Sequence, residues 1–125
     1  APTDQGITYW GCYGTSISGA DGTEIGTGEQ NTADILAGCS ATNNAAYLCD
    51  TLTLGGYSDW FLPSKDELNI LFISKDLIGG FSNHFHWSST ESSDILAWGQ
   101  NFINGAQANY SSKLGYRTVR AVRAF

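Results

Sequence analysis

The chain has 125 residues, of which 42% are hydrophobic and only 14% charged, a composition that suits one folded domain and excludes disorder. Its formal net charge of −6 disfavours a nucleic acid partner, because binding to a phosphate backbone needs a cationic surface. No apolar run approaches the length of a membrane span, so membrane insertion is not expected. The charge is uneven, since residues 1–63 contain no Lys or Arg.

The first half of the chain is predicted to contain loops and two short helices. Glycine recurs through residues 1–30, and residues 7–10 form the one short apolar run there. Asn31 or Thr32 is expected to cap a helix that ends at Gly38. A second helix is predicted for residues 44–52, where apolar side chains share one face.

The strongest local signal lies at residues 63–67, before a third predicted helix. Ser64 has the side chain of an N-cap, and Glu67 three residues later completes a capping box. Leu68, Leu71 and Phe72 then follow at helical spacing. The two glycines at positions 79 and 80 are predicted to end this helix.

After Phe81 the apolar period changes to two, which indicates strands. Asn104-Gly105 predicts a type I′ hairpin turn, in which both central residues have positive φ. Helices followed by an antiparallel sheet indicate an α+β domain that spans residues 1–125. The predicted strands are residues 85–88, 95–103, 107–110 and 118–125.

The chain contains three cysteines, and their settings differ. Cys49 lies on the apolar face of the second predicted helix and is expected to be a buried free thiol. Cys12 and Cys39 lie in or beside Gly-rich loops, so a disulfide between them is predicted, with a contribution of about 3 kcal/mol to stability. The alternative is three free thiols in a cytosolic protein. Low Lys content and the lack of Met favour an exported protein.

Two segments have ligands that suit a metal ion. Asp21 and Glu24 flank a Gly turn, as the oxygen ligands of calcium loops do, and calcium is therefore the cofactor for which the sequence leaves room. The segment lacks the DxDxDG pattern, and the alternative is an Asx-type turn. His84 and His86, with Glu91 nearby, form a second candidate group, whose alternative is a pair of ordinary core or surface histidines.

Trp98 lies in a segment rich in amide side chains. Gln100, Asn101 and Asn109 follow it, with Tyr110 beyond. Aromatic rings cover the C–H faces of sugars and amides bond their hydroxyls, so these five residues are predicted to bind carbohydrate. The alternative is that Trp98 belongs to the core. No nucleophile elbow, HExxH motif or paired-carboxylate signature is present, so no catalytic residue is predicted.

Three stretches of the chain resemble the motifs of one bacterial domain family, which includes the C-terminal domain of the Legionella collagen-like adhesin. They are GYSDWFLPSKDEL at residues 56–68, WSSTE with a following AW at residues 87–98, and VRAVRAF at residues 119–125. The resemblance covers residues 5–125. It implies a C-type-lectin-like fold, shared with formylglycine-generating enzymes, in a secreted or bacterial cell-surface protein.

The sequence departs from that family in two respects. Similar sequences carry an apolar strand before residues 1–5, so the strand at residues 118–125 is expected to lack its neighbour and to expose an edge that recruits partners. The chain is then either a trimmed domain or a subunit whose edge another chain fills. The acidic charge also argues against the sulfated polysaccharides that the collagen-like adhesin binds through a basic surface.

The arginines near the end of the chain are expected to act inside the domain. Asp59 and Asp66 are predicted to pair with Arg120 or Arg123 where the sheet meets the third helix. A buried pair of this kind fixes register more than it adds stability. The excess negative charge is then mostly the solvated face of the loop-rich first half.

Three functions are compatible with these features. The first is a non-catalytic extracellular recognition or adhesion module whose partner is a glycan or another cell-surface ligand. The second is a self-assembling structural subunit of a surface fibre or adhesin tip, which forms a homo-oligomer or filament. The third is an enzyme of the formylglycine-generating type, which needs a reactive cysteine pair that a disulfide between Cys12 and Cys39 would remove.

Overall fold

A computed structural model describes residues 1–123, with the backbone alone for Tyr110. This part of the chain combines four short helices with one five-stranded sheet, an α+β arrangement as predicted. The helices are Gly28–Gly38 (α1), Ala45–Asp50 (α2), Lys65–Ile73 (α3) and Lys75–Ile78 (α4), and the strands are Gly6–Thr8 (β1), Phe85–Glu91 (β2), Leu96–Asn101 (β3), Gln107–Ser112 (β4) and Arg117–Val119 (β5).

The sheet has the order β1-β5-β2-β3-β4, and its pairs are antiparallel except for β2 with β5. Ile7 lies opposite Thr118, so the short apolar run near the start of the chain supplies β1. The expectation that the last predicted strand lacks a neighbour is therefore wrong, because β5 lies between β1 and β2. β5 is also shorter than predicted, and Ala124 and Phe125 lie outside the described residues.

Two of the four helices, α2 and α3, begin at a residue whose side chain caps the helix. In α3, the Ser64 hydroxyl accepts from the Glu67 amide while the Ser64 amide donates to the Glu67 carboxylate, which is the predicted capping box. The prediction for α1 is wrong, because this helix starts at Gly28 after Thr27, whose side chain makes no capping bond. Asn31 and Thr32 lie inside α1, and both side chains are buried and bonded to other segments.

The hairpin between β3 and β4 differs from the predicted type I′ turn. Of its two expected central residues only Gly105 has a positive φ, of 81°. Asn104 instead uses its side chain, whose oxygen accepts a hydrogen bond from the Ala106 amide at 2.9 Å. Glycine is required at position 105 for a second reason, since a β-carbon there would collide with the ring of Phe72 on α3.

The hydrophobic core consists of two clusters. The larger one surrounds Trp10 and Trp87, which lie under α1 and α2. Both indole N–H groups are satisfied, by the Ser88 and Thr8 carbonyls respectively. The smaller cluster packs α3 against the sheet through Phe61, Leu68, Leu71, Phe102 and Val122. The loops therefore rest on a well-packed base, and their exposed side chains are the candidates for function.

Candidate recognition site

A cleft of about 390 Å³ opens where three loops meet beside the first core cluster. We call it the tyrosine cleft, and it is lined by Tyr9, Gly11, Cys12, Tyr13, Asn43, Lys113 and Leu114. Tyr13 is 49% exposed, and the ring of Tyr9 packs edge-on against that of Tyr116 with 5.0 Å between centroids. Three tyrosine rings thus face solvent at one place, where core packing does not account for them.

The loop that carries Tyr9 and Tyr13 is fixed to the two helices below it. A disulfide joins Cys12 to Cys39, which is the C-cap of α1. Gly11, with φ of 111°, packs so closely on Asn44 that a β-carbon there would meet the side chain of this N-cap residue of α2. The loop is held by one covalent bond and one close backbone contact, so the tyrosines stand on a preorganised support.

The floor of the cleft is an ion pair that is almost completely removed from solvent. The Lys113 side chain is fully buried, and its Nζ donates to Glu91 Oε2 at 2.7 Å and to the Thr15 carbonyl at 3.0 Å. The same carboxylate oxygen accepts from the Ile17 amide at 2.8 Å. Nζ also lies 4.6 Å from the centre of the Trp10 ring. This network ties the turn after β4 to the loop that follows Tyr13.

The lining of the tyrosine cleft suits binding more than acid–base chemistry. The exposed side chains around it are phenol rings, the aliphatic Leu114 and the amide of Asn43, and its one charged residue, Lys113, is paired beneath the surface. Among residues 1–123 no His, Asp or Glu lines this cleft. Rings with a few polar groups around them are the usual composition of a small-ligand site.

The residues predicted to bind carbohydrate are only partly available. Trp98 is half-buried, and Lys65 Nζ lies 4.6 Å from the centre of its ring. The prediction for Gln100 is wrong, because this side chain has no exposed surface and its amide donates to Asn69 and to the Gly105 carbonyl, both at 2.9 Å. The Asn101 side chain accepts from the Ile103 amide at 2.7 Å, so it holds the hairpin turn.

The two remaining residues of that prediction lie in the edge strand β4. Asn109 is exposed, and the side chain of Tyr110 lies outside what the structure describes. Asn109 does not line the tyrosine cleft in the part of the chain described. Amide side chains are dense in this stretch of sequence, but the fold uses two of them for structure. Gln100 connects the hairpin with α3, and Asn101 closes the turn.

The segment proposed for calcium is organised by an asparagine from α1. The Asn31 amide pairs with both backbone groups of Gly22, accepting from its N–H at 3.1 Å and donating to its carbonyl at 2.7 Å. Asp21 and Glu24 on either side are exposed. Within residues 1–123 no three His, Cys, Asp or Glu side chains come close enough to hold a metal ion. The segment is thus a turn, but Asn31 rather than Asp21 holds it.

Of the two histidines, His86 is buried in a polar cluster at the start of the sheet. Its Nε2 lies 3.4 Å from Asp4 Oδ1, which also accepts from Arg120 at 3.0 Å. The Arg120 side chain is 1% exposed and donates further to the carbonyls of Ala1 and Gly79. The candidate metal ligand His86 is therefore part of an internal network, while His84 is exposed.

The two arginines near the end of the chain, Arg120 and Arg123, pair with different acids. Arg123 forms a bidentate pair with Asp59, at 2.6 and 3.1 Å, on the surface. The other predicted pairings are wrong: Arg120 pairs with Asp4, and Asp66 lies 3.9 Å from Lys65. The physical reason is that the first residues of the chain fold back and bring the Asp4 carboxylate to Arg120. Strand and helix patterns in the sequence do not predict this long-range contact.

The buried setting of Asp4 leads to a dependence of stability on acid pH. Burial alone would raise its pKa, but hydrogen bonds from His86, the Ser82 amide and Arg120 outweigh burial and lower the pKa from 3.8 to about 2. A lowered carboxyl pKa stabilises the fold above pH 3.8, and this contribution is lost as the pH falls through 2. We expect urea unfolding to show a loss of about 1–2 kcal/mol from Asp4 over that interval, after allowance for solvent screening.

Asp4→Asn isolates this contribution from those of the other carboxylates. The substitution keeps the size of the side chain but removes its charge, so the loss between pH 4 and pH 2 should be smaller in the variant than in the original chain by about 1–2 kcal/mol. Parallel acid profiles for the two proteins would contradict the assignment of the low pKa to Asp4.

The residues of the tyrosine cleft were not singled out from the sequence. Tyr9 and Tyr13 flank Cys12, which was recognised for its thiol, and Asn43 and Leu114 lie far along the chain. The available signal was three tyrosines, including Tyr116, in Gly-rich segments outside any predicted strand or helix. Aromatic residues in such loops are candidates for binding, since the loops do not form the core.

Comparison with known families identifies the domain. The family model described as the Lcl C-terminal domain matches residues 12–123, which is most of the chain and confirms the resemblance seen in its motifs. This match relates the chain to adhesin modules and to proteins that are surface-exposed or secreted. A comparison with curated proteins found no match. In the described residues no helix has both the length and the apolar composition needed to cross a membrane.

Proposed function

The chain belongs to the Lcl C-terminal domain family, and on that premise we propose that it is a non-catalytic recognition module that binds carbohydrate in the tyrosine cleft. The observation that carries the proposal is the pair of solvent-facing tyrosines, Tyr9 and Tyr13, that line one mixed aromatic and polar hollow, with the exposed ring of Tyr116 packed against Tyr9. The proposal includes a C-type-lectin-like fold and an extracellular location on the bacterial surface. The disulfide supports the location, because such bonds persist in oxidising compartments.

The chemistry of the cleft favours an uncharged sugar. Phenol rings present flat apolar faces to the C–H groups of a pyranose, and the Asn43 amide offers both a donor and an acceptor to hydroxyls. The one cation in the lining, Lys113, is already neutralised by Glu91, and the chain as a whole carries −6. A sulfated or otherwise anionic glycan would meet repulsion and find no free cation in this cleft.

Rigidity of the support adds to the expected affinity. Loop ordering on binding costs free energy, and a loop that is already held loses little further freedom. Here the Cys12–Cys39 bond and the Lys113–Glu91 pair hold the two sides of the cleft before any ligand arrives. These two connections therefore belong to the binding function as well as to stability.

The proposal is tested by replacing one cleft tyrosine and one tyrosine of similar exposure elsewhere. Tyr13→Ala removes a ring from the cleft, and we expect at least a tenfold loss of affinity for the best neutral glycan on an array, confirmed by titration calorimetry. Tyr47→Ala is the control, because Tyr47 is 37% exposed on α2 and does not line the cleft. The control should bind as the unmodified chain does.

Two results would contradict this assignment. Unchanged glycan affinity in Tyr13→Ala would remove the cleft as the binding site. Loss of glycan binding in Trp98→Ala, with Tyr13→Ala unaffected, would place the ligand on the β3–β4 hairpin instead. Equal melting temperatures of the variants, measured by circular dichroism, ensure that the comparison concerns binding.

A structural subunit is the second candidate function, and it is favoured by features outside the cleft. Ile73 at the end of α3 is 73% exposed, and Leu77 in α4 is 92% exposed. The edge strand β4 contains no charged residue. Both features are typical of surfaces that associate. Concentration-dependent filaments or homo-oligomers in sedimentation velocity, with no glycan bound on the array, would favour this function over recognition.

An enzyme of the formylglycine-generating type is the least supported candidate. That chemistry needs a reactive cysteine pair, whereas Cys12 and Cys39 are joined to each other. The third cysteine, Cys49, is fully buried in α2, and burial raises the pKa of its thiol. A buried protonated thiol is a poor nucleophile, which supports the non-catalytic proposal.

A further inference from the structure

A second hollow shares no lining residue with the tyrosine cleft. It has a volume of about 530 Å³, within the range of small-molecule sites. We call it the aromatic groove. Its apolar wall is made by Tyr57, Trp60, Leu71, Ile78, Phe81 and Val122.

Apart from the Tyr57 hydroxyl, the wall of the aromatic groove presents apolar surface. The Trp60 indole N–H donates to the Tyr57 carbonyl at 3.1 Å, so the ring itself is what remains for contact. Tyr57 is 50% and Ile78 43% exposed. Covering such side chains with an apolar group is favourable at roughly 25 cal/mol for each Å² removed from water.

Among residues 1–123, the charged side chains that line the groove are two arginines. They are Arg120, which is buried and paired with Asp4, and Arg123. Arg123 lies 3.6 Å from the centre of the Tyr57 ring and pairs with Asp59 through Nε and Nη2. Within residues 1–123 its Nη1 group has no hydrogen-bond partner, which leaves donors at the rim for a further acceptor.

We propose that the aromatic groove binds a small amphipathic carboxylate, with its aliphatic or aromatic body against the wall and its carboxylate on Arg123. Guanidinium and carboxylate groups match each other in geometry and form strong charge-assisted hydrogen bonds. The apolar side chains of the wall suit an uncharged ligand body. This site is independent of carbohydrate recognition in the tyrosine cleft.

Decanoate, below its micelle concentration, is the probe for this site. Its binding to the full chain is followed by Trp fluorescence and by amide shifts in ¹⁵N spectra, with decan-1-ol as the uncharged comparison. We expect saturable binding of decanoate, shifts at residues 57–61 and 120–123, and an affinity at least tenfold higher than that of decan-1-ol. Equal affinities of the two compounds, or absent binding, would overturn the proposal.

Two neighbouring residues provide a matched pair of variants. Ile78→Asp places a negative charge in the wall and should weaken decanoate binding at least tenfold. Leu77→Asp makes the same change one residue earlier, at a side chain that is 92% exposed and outside the groove, and should leave binding unchanged. Equal losses in the two variants would mean that nonspecific charge repulsion, and not the groove, determines the binding.

Arg123→Gln tests the role assigned to the guanidinium. In this variant decanoate should lose its advantage over decan-1-ol while decan-1-ol binds as before. A preserved advantage would contradict the assignment. Tyr13→Ala should bind decanoate normally, so failure of the groove and failure of the tyrosine cleft are seen separately.

Discussion

Lys113→Ala is expected to lower the free energy of unfolding by about 3–5 kcal/mol, because it leaves the Glu91 carboxylate buried without its cation. The substitution also removes the hydrogen bond to the Thr15 carbonyl and the contact with the Trp10 ring. Since these contacts hold the loop after Tyr13, glycan affinity should fall together with stability. Chemical denaturation and glycan titration measure the two effects.

Lys65→Ala is the control for that experiment. Lys65 Nζ lies 3.9 Å from Asp66 Oδ1, with 25% and 45% of the two side chains exposed, and a partly exposed pair of this kind contributes at most about 1 kcal/mol. A melting temperature of Lys113→Ala equal to that of Lys65→Ala would contradict the role assigned to the buried pair. The double variant Lys113→Met with Glu91→Leu should recover much of the lost stability, because two apolar side chains leave no charge unpaired.

Arg120→Ala is expected to cost a similar amount, about 3–5 kcal/mol, without any effect on glycan binding. The guanidinium is fully enclosed, and it connects Asp4, the Ala1 carbonyl and the Gly79 carbonyl while it lies 3.9 Å from the centre of the Phe81 ring. Its removal therefore detaches the first residues from β5 and from the end of α4. None of these groups lines the tyrosine cleft.

Arg123→Ala is the matched comparison, three residues later in the chain. Its side chain and that of Asp59 are 30% and 61% exposed, so solvent screens the pair and the loss should be far smaller than that of Arg120→Ala. Differential scanning calorimetry distinguishes the two variants directly. A fully stable Arg120→Ala protein that no longer binds glycan would reverse the assignment and give Arg120 a place in recognition.

Local features of this fold could be predicted from the sequence, whereas long-range ones could not. The capping box of Ser64 and Glu67 needs only three residues of separation, and it was found correctly. The start of α1 was misplaced because Thr27 makes no side-chain cap, while Asn31, which has the side chain of a cap, bonds instead to Gly22. Propensity indicates what a side chain is able to do, and tertiary contacts decide which partner it finds.

The candidate site shows the same limit more strongly. Trp98 and Gln100 stand out because aromatic and amide residues are dense in one stretch of sequence, yet the fold buries Gln100 against Asn69. The tyrosine cleft combines segments around positions 9–13, 43 and 113–114, which no local pattern connects. Long-range contacts bring these segments together: the Cys12–Cys39 bond, the bridge between Tyr9 and Asn44, and the hydrogen bond from Lys113 to the Thr15 carbonyl.

The pairing of β1 with β5 also determines how the domain responds to mechanical load. Gly6 lies opposite Val119, so the start of β1 and the end of β5 are side by side, and the Gln5 amide bonds the Val119 carbonyl at that point. Tension between the start of β1 and the end of β5 would break the hydrogen bonds between these strands one at a time. Tension between a ligand in the tyrosine cleft and the helices follows another route, because the Cys12–Cys39 bond transmits it covalently to α1.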